Sequence, residues 1–319
     1  MKKLVVVGGG TGTFNVLSGL KGKGFDLTAV ISTFDSGGST GVLRDEFGAL
    51  PGGDLRRALV ALAPDDDQNF LRKLFQVRFN APESSLHDHS LGNLIMLGAE
   101  EVAEDKLSGI KELSRLLSIE GRVLPVSLDD AHICAELTDG SIIKTEAAID
   151  IPKHDGSIPI KKIWLTTQAE THPETQEALR EADYIVIGPG DLYTSLLPNL
   201  LTKGFCEAVA QSSAQIIFIT NIMTKWGETH GLTATDHVRI LLEHLGRDAV
   251  DAAILNEGVI SAEVEAWYAR EGKAPVVFDE AEVSQYARRI IRADVMSTTD
   301  VVRHNPEKIA QAILEFCKM

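Results

Sequence analysis

The sequence predicts an α/β protein: a Rossmann-like three-layer α/β/α fold with a mostly parallel sheet and a small β excursion. Short apolar runs such as Leu4–Val7 alternate along the chain with segments of helical apolar spacing. Strands that read as continuous apolar runs are typical of parallel sheets covered by helices on both faces. No repeat, low-complexity tract or linker interrupts the pattern, so we expect one domain over residues 1–319.

The first third of the chain contains two predicted strands and five predicted helices. The strands are residues 3–8 and 27–33, and the helices are 13–21, 54–63, 69–79, 90–103 and 108–119. Between about 122 and 167 the apolar period changes to alternation, and Thr138-Asp139-Gly140 is a hairpin turn signal. We therefore interpret 122–167 as the β excursion.

Strand and helix alternate again after the excursion. The predicted strands are 184–190, 215–223, 249–257 and 275–279, and the predicted helices are 173–182, a segment near 192–211, 233–246, 261–270 and 306–319. This order continues the parallel sheet to the end of the chain.

Charge and cysteine content narrow the class of protein. The formal charge of −15 disfavours general binding to nucleic acid or anionic membranes, because the long-range field repels phosphate. The three cysteines are far apart and show no CxxC spacing, which is typical of reduced thiols. No apolar stretch has the length of a membrane span, so we expect no membrane span and a cytoplasmic location.

Glycine-rich turns follow two successive predicted strands. In Gly8–Gly12 the backbone can approach a ligand closely, and the following helix N-terminus favours an anion. The turn matches neither GxGxxG nor the P-loop, and a tight turn without ligand is the alternative. After the second strand, Asp35 could accept ribose hydroxyls, while Gly37, Gly38 and Ser39 offer polar groups. A helix cap followed by a flexible loop is the alternative there.

Several charged and polar residues near these turns have two possible interpretations. Arg44, Arg56 and Arg57 could supply cations to a phosphate site or could simply be solvated, and Asp54 has the position of a helix N-cap. His87 and His89, two residues apart, could bind a metal. We prefer a polar loop that directs His89 and Asn93 into the cleft, with a plain helix cap as the further alternative.

Two later loops complete a predicted cleft at one edge of the sheet. Gly188–Ser195 contains Asp191, and the loop after the next strand contains Asn221 and Thr224. Converging polar loops of this kind suit a phosphate-bearing small molecule. No arrangement of a nucleophile with its base and no HExxH metal motif rises above chance, so we assign no catalytic residue and no metal ligand.

The loops resemble a known family as an ordered set. GGGTG, D-x-GGS-[ST]-G followed by L-R, P-G-x-D-x-R, H-S-L-G-N-L, G-P-G-x-L-Y-T-S and N-x-M-T-x-x-G-E-T cover roughly residues 4 to 240. They occur in this order in the gluconeogenesis factor YvcK family of the CofD-like superfamily, and a weaker match extends to Arg303-His304-Asn305.

The resemblance implies a nucleotide-type ligand. CofD relatives transfer phospholactate from a nucleotide diphosphate donor to a deazaflavin with magnesium. YvcK-like proteins are linked to gluconeogenic growth, cell-wall and cell-shape control, and to UDP-N-acetylglucosamine, without an established reaction. This chain is more similar to the second branch. We therefore expect a regulatory protein that binds a nucleotide sugar, with a CofD-type transferase as the alternative. An NAD(P) oxidoreductase has only the near-Rossmann opening in its favour.

The resemblance also implies roles for individual residues. Residues of the first turn would face the diphosphate, Asp35 would face ribose or a metal, and the remaining residues would line or close the cleft. The residues carried over are Gly9, Gly10, Thr11, Gly12, Asp35, His89, Asn93, Asp191, Asn221, Thr224, Tyr268 and Arg303.

The chain departs from the family pattern at three places. Ser36 stands where the family has a carboxylate, Asp191 stands where it has serine, and Lys225-Trp226 differ. One acid with neutral hydroxyls binds Mg²⁺ less well than paired carboxylates do, so we assign no certain cofactor, and magnesium together with the nucleotide stays open. Regulatory protein partners, a homodimer and phosphorylation of the hydroxyl cluster at 297–299 stay open.

Overall fold

The computed structural model describes residues 1–65, 69–103, 105–297 and 301–318, so Thr298 and Thr299 of the hydroxyl cluster lie outside the described residues. The strands, in chain order, are β1 Lys2–Gly8, β2 Phe25–Ile31, β3 Arg122–Pro125, β4 Ile133–Leu137, β5 Ile142–Lys144, β6 Ile160–Leu165, β7 Tyr184–Ile187, β8 Gln215–Ile219, β9 Ala252–Asn256 and β10 Ile290–Ala293.

Within the described residues, seven strands form a parallel sheet in the order β10-β9-β8-β7-β1-β2-β3. Alternate side chains of β1 enter two different cores. Val5 and Val7 belong to one buried apolar cluster, and Leu4 and Val6 belong to the other. Both faces of the sheet are therefore covered, as its continuous apolar runs predict, and the predicted three-layer α/β class is confirmed.

Helices cover both faces. They are α1 Gly10–Leu20, α2 Gly38–Phe47, α3 Gly52–Leu62, α4 Phe70–Leu74, α5 Leu91–Val102, α6 Lys106–Leu116, α7 Glu146–Asp150, α8 Pro173–Arg180, α9 Leu197–Leu200, α10 Phe205–Gln211, α11 Ala234–Leu245, α12 Ala262–Ala269, α13 Glu280–Val283 and α14 Pro306–Cys317. A π-helical turn, Leu192–Leu196, precedes α9. None of the described helices combines the length and apolarity needed to cross a membrane.

The predicted excursion of 122–167 begins too early. Strand β3 pairs in parallel with β2 and is the edge strand of the main sheet. The excursion is a separate antiparallel sheet, β5-β4-β6, whose β4–β5 hairpin turns at the predicted Thr138-Asp139-Gly140. Alternation in a sequence identifies a strand but not its partner, so β3 could not be assigned from its residues alone.

Other differences concern short elements. Residues 275–279 form no strand, and Pro275 makes an isolated bridge with Met223. The last strand is β10 instead. The predicted helix at 69–79 is limited to α4, and the segment 192–211 is divided into the π-helical turn, α9 and α10. Such short pieces depend on tertiary contacts more than on local periodicity.

The small sheet packs on the main body. Ile133, Ala135 and Ile163 of β4 and β6 share one buried cluster with Val5 and Ile185 of the main sheet. Helix α7, between β5 and β6, therefore lies close to the loops of the main sheet. The division of the chain into a single domain stays a prediction.

Candidate functional site

A cavity of about 440 Å³ lies where the strand order of the main sheet reverses. The chain runs from β1 outward through β2 to β3 and later from β7 outward to β10, so the reversal lies between β1 and β7. This is the position at which open parallel sheets bind ligands. The predicted site residues that line the cavity are Gly9, Gly10, Thr11, Gly12, Asp35, Gly37, Gly38, Ser39, Asn93 and Asp191.

The turns after β1 and β7 touch each other through glycine. A Cβ added at Gly12 would lie 2.1 Å from the carbonyl oxygen of Pro189, so no side chain fits there. Gly10 has φ +69°, a left-handed conformation that favours glycine. The bare backbone thus brings two turns into contact at the floor of the cavity and begins α1 directly beneath it.

Three arginines form what we call the basic lining: Arg56, Arg57 and Arg78. Nε of Arg56 donates to Oδ1 of Asn93 at 2.9 Å, and its Nη1 donates to the carbonyl of Phe75, also at 2.9 Å. Burial, followed by the neighbouring Arg57 and Arg78 charges, lowers the pKa of Arg56 to about 10, which leaves it charged at neutral pH. The three guanidinium groups suit an anionic ligand.

Four carboxyl groups form the acidic lining: Asp35, Glu146, Asp150 and Asp191. The Glu146 carboxyl hydrogen-bonds to Asp35, and burial followed by the Asp35 charge raises the pKa of Glu146 to about 9. Glu146 also accepts the Ser36 N–H at 3.2 Å. The pair therefore holds a proton at neutral pH, and Glu146 supplies the second carboxyl group that Ser36 lacks.

Asp54 lies at the N-terminus of α1, between the two linings. It accepts the Gly10 N–H, and Nη1 of Arg57 donates to it at 3.2 Å. Burial raises the pKa of Asp54 to about 6, although the Arg57 charge opposes the shift. Asp54 is not the predicted N-cap, because α3 begins at Gly52 with Pro51 as its N-cap. The residue instead occupies part of the anion-binding position of α1.

Asp150 and Asp191 meet the ammonium group of Lys225 at the acidic lining. Lys225 Nζ lies 2.8 Å from Asp191 and 2.9 Å from Glu228, and it also contacts Asp150. Among the described residues, Asp150, Asp191 and Glu228 are the group of three acids spaced for a metal ion. Because Lys225 occupies their centre, this set does not fit a divalent cation.

Five predicted residues do not line the cavity, and three of them, His89, Thr224 and Tyr268, are buried. The His89 ring lies behind Ser39, with its Nδ1 3.1 Å from Ser39 Oγ. Thr224 is buried and accepts the Ala274 N–H through its hydroxyl at 2.9 Å. Tyr268 is buried, and its hydroxyl accepts the Val302 N–H at 3.0 Å. Each of these side chains supports a neighbour instead of facing the cavity.

Asn221 and Arg303 line a second groove of about 180 Å³. The groove shares Thr11, Gly12 and Asp191 with the main cavity, and Oδ1 of Asn221 accepts the Gly190 N–H at 3.3 Å. The glycine turns therefore form a ridge with a polar space on each side.

Sequence reasoning missed Glu146, Asp150 and Arg78. Glu146 and Asp150 belong to the excursion, which showed no phosphate-type turn, and Arg78 follows a short helix with no motif. A search for acids on elements that pack beside the strand ends could have found the first two, but it requires the fold.

Comparisons with known proteins give the family. A family model described as 2-phospho-L-lactate transferase CofD matches residues 4–296. Proteins named "Gluconeogenesis factor" from Halalkalibacterium halodurans and Bacillus subtilis are 43% and 39% identical, covering 98% and 99% of this chain and 96% and 98% of theirs. A crystal structure of a Bacillus halodurans protein has a TM-score of 0.91 at 41% identity, covering 98% of this chain and 99% of that one.

Fold and site together define an α/β protein with a polar cavity at the switch point of its parallel sheet. The family match and the near full-length relatives place it more narrowly. The chain belongs to the CofD family, in the branch of the YvcK-like gluconeogenesis factors, which confirms the resemblance found in its ordered motifs.

Proposed function

We propose that the chain is a regulatory protein that binds a nucleotide sugar of the UDP-N-acetylglucosamine type and acts in gluconeogenic growth, cell-wall and cell-shape control. The observation that carries the proposal is the cavity between the β1 and β7 turns, where arginines and a helix N-terminus meet paired carboxyl groups. The relatives named gluconeogenesis factor support the physiological part.

The two linings suit the two ends of such a ligand. The arginines and the backbone of the Gly8–Gly12 turn match a diphosphate. The carboxylates of Asp35 and Asp191 can accept hydroxyl hydrogen bonds from ribose or sugar. A cavity of about 440 Å³ with an adjoining groove has the size of small-molecule sites. Magnesium, if it accompanies the ligand, would arrive on the diphosphate.

The test is calorimetric titration of the unchanged protein and of the Arg57→Gln variant with UDP-N-acetylglucosamine. Arg57 is 43% exposed on its side chain and pairs with Asp54 three residues before it. We expect micromolar binding by the unchanged protein and about a tenfold or greater loss in the variant, as expected for a charged hydrogen bond to phosphate.

Arg115→Gln is the matched control, because Arg115 also pairs with an acid three residues before it, Glu112, but lies outside the cavity. It should leave affinity unchanged. Absence of binding to UDP-N-acetylglucosamine, with or without magnesium, would reject the proposal and direct the search to guanosine nucleotides. UDP and N-acetylglucosamine 1-phosphate, titrated separately, report which end of the ligand contributes more.

A CofD-type transferase is the second candidate, favoured by the family match and by a protonated carboxyl group, Glu146, in the cavity. A buried acid with a raised pKa can donate a proton during group transfer. Incubation with a phospholactyl nucleotide, magnesium and a deazaflavin acceptor should yield the phospholactyl deazaflavin if this activity exists. A blank trace alongside tight nucleotide-sugar binding favours the regulatory protein, acting through partner proteins.

A further inference from the structure

Three carboxylates converge at one end of the cavity around a lysine. Oxygens of Asp150, Asp191 and Glu228 all lie within 4.8 Å of one another. Lys225 Nζ is 2.8 Å from Asp191, 2.9 Å from Glu228 and in contact with Asp150. Three carboxylate oxygens at this separation resemble the ligand set of a divalent cation, yet the chain fills the centre with its own ammonium group.

The cluster joins separate segments of the fold. Asp150 ends α7 beside the small sheet, Asp191 follows β7, and Lys225 and Glu228 follow β8. Unpaired carboxylates brought this close would repel one another. A cation at their centre therefore offsets this repulsion where the main body and the small sheet meet at the cavity.

Glu228 makes the need for a cation strongest. Its side chain is 0% exposed, and it accepts hydrogen bonds from the Thr194 hydroxyl at 3.2 Å and the Tyr193 N–H at 3.3 Å. A buried carboxyl group needs a charged partner or takes up a proton. Burial raises the pKa of Glu228, and the Lys225 charge opposes this shift and favours the carboxylate. Burial lowers the pKa of Lys225, but the three carboxylates raise it more, so the ammonium stays charged at physiological pH.

We propose that Lys225 is the resident cation of the Asp150–Asp191–Glu228 cluster, taking the position that a divalent metal would occupy there and making this cluster independent of protein-bound metal. Lys225 is a positioning residue: it reaches the ligand space through Asp150 and Asp191, which line the cavity. The proposal concerns the same cavity as the proposed function but does not rest on the identity of the nucleotide sugar.

The first test measures Mn²⁺ binding by electron paramagnetic resonance without any nucleotide. Lys225→Met removes the charge and leaves the three carboxylates, so we expect it to gain one Mn²⁺ with at least about tenfold higher affinity than the unchanged protein. Lys225→Arg keeps a cation and should gain none. Adding Asp191→Asn to Lys225→Met should abolish the gain. Equal Mn²⁺ affinity in Lys225→Met and the unchanged protein would overturn the proposal.

If Lys225→Met does not fold, Mn²⁺ binding by the unchanged protein still tests the role of Lys225. The unchanged protein and Asp191→Asn should bind Mn²⁺ equally. Asp183→Asn is the matched control, because Asp183 pairs with Lys2 outside the cavity. A bound Mn²⁺ in the unchanged protein that Asp191→Asn removes would overturn the proposal, because a metal would then displace the lysine.

A second test measures UDP-N-acetylglucosamine binding with magnesium and with a chelator. We expect any magnesium dependence of the unchanged protein to persist in Asp191→Asn, and Lys225→Met to bind about tenfold more weakly in the chelator. A tenfold dependence on magnesium in the unchanged protein that Asp191→Asn removes would overturn the proposal. Failure of all nucleotide-sugar binding would reject the proposed function, while the Mn²⁺ measurements would still decide the role of Lys225.

Discussion

The basic and acidic linings of the cavity differ in how their charges are held. In the basic lining, Arg56 is hydrogen-bonded to neutral groups, the Asn93 amide oxygen and the Phe75 carbonyl. In the acidic lining, part of the negative charge is offset within the protein. Glu146 shares a proton with Asp35, and Asp191 lies against Lys225.

This difference means that the charge that a site offers to a ligand is set locally and not by the charge of the whole chain. The whole chain carries a formal charge of −15, and the cavity has more acids than arginines along its surface. Counting charges would therefore predict that it repels phosphate. A proton on the Asp35–Glu146 pair and the Lys225 ammonium group offset part of this acidic charge, and Arg56 is held by neutral groups, so its guanidinium charge remains for the ligand.

We expect the largest loss of stability and of ligand binding from a substitution that separates the β1 and β7 turns, which lie between the two linings. Gly12→Ala places a Cβ 2.1 Å from the Pro189 carbonyl oxygen, a rigid backbone atom. We expect a loss of about 3 kcal/mol in the free energy of unfolding, as in overpacked cores, together with loss of ligand binding. Urea unfolding measures the first and calorimetry the second.

Gly98→Ala provides the matched control for this substitution. Gly98 also lies within a helix, α5, but no atom lies within 4 Å of a Cβ added there. Alanine should stabilise that helix by up to about 1 kcal/mol. Equal stability of Gly12→Ala and Gly98→Ala would mean that the β1 and β7 turns do not touch as described.

The acidic lining is tested by Glu146→Gln. Burial and the Asp35 charge raise the pKa of Glu146 in the folded chain to about 9, from 4.5 for an exposed glutamate. The folded state therefore holds a proton that the unfolded state releases, and the stability of the unchanged protein should fall as the pH rises from about 5 to 9. Gln is neutral throughout, so the variant should become more stable than the unchanged protein across this window, by about 2 kcal/mol once partial exposure is allowed for.

The measurement is the midpoint of thermal unfolding at several pH values between 5 and 9. Glu136→Gln is the control, because Lys161 and Lys162 lower the pKa of Glu136 to about 2. Glu136 is ionised in folded and unfolded chains across the whole window, so its substitution should give a difference that does not change with pH. A constant difference for Glu146→Gln as well would show that Glu146 is ionised and does not share a proton with Asp35.

How far the sequence predicts this contrast depends on the distance between partners in the chain. The parallel sheet and its glycine turns follow from local signals, since Leu4–Val7 and the following glycines are consecutive. The Asp35–Glu146 pair joins residues more than a hundred positions apart, and no local pattern connects them. Ser36 suggested a weakened carboxylate pair, whereas the fold supplies the second carboxyl group from α7.

Asp54 illustrates the same limit at short range. A turn followed by an acid predicts an N-cap, yet the helix begins two residues earlier. The acid instead reaches the N-terminus of α1, a contact between helices that the spacing of residues does not reveal. Lys225 was noticed as a departure from the family pattern, but its three carboxylate partners became visible only in the structure.

The smallest expected effect concerns Asp54, where the two linings meet. Its carboxylate accepts the Gly10 N–H and pairs with Arg57, so it competes with a ligand phosphate for both groups. Asp54→Asn removes the competing charge, and we expect nucleotide-sugar affinity at pH 7.5 to rise about threefold, a change of under 1 kcal/mol. The pKa of Asp54 is about 6, so the affinity of the unchanged protein should also rise as the pH falls through 6, whereas that of the variant should stay level. Calorimetry from pH 5.5 to 8 measures both. A loss of affinity in Asp54→Asn would instead mean that Asp54 contacts the ligand directly, and the boundary between the linings would then include a carboxylate that binds sugar or ribose hydroxyls.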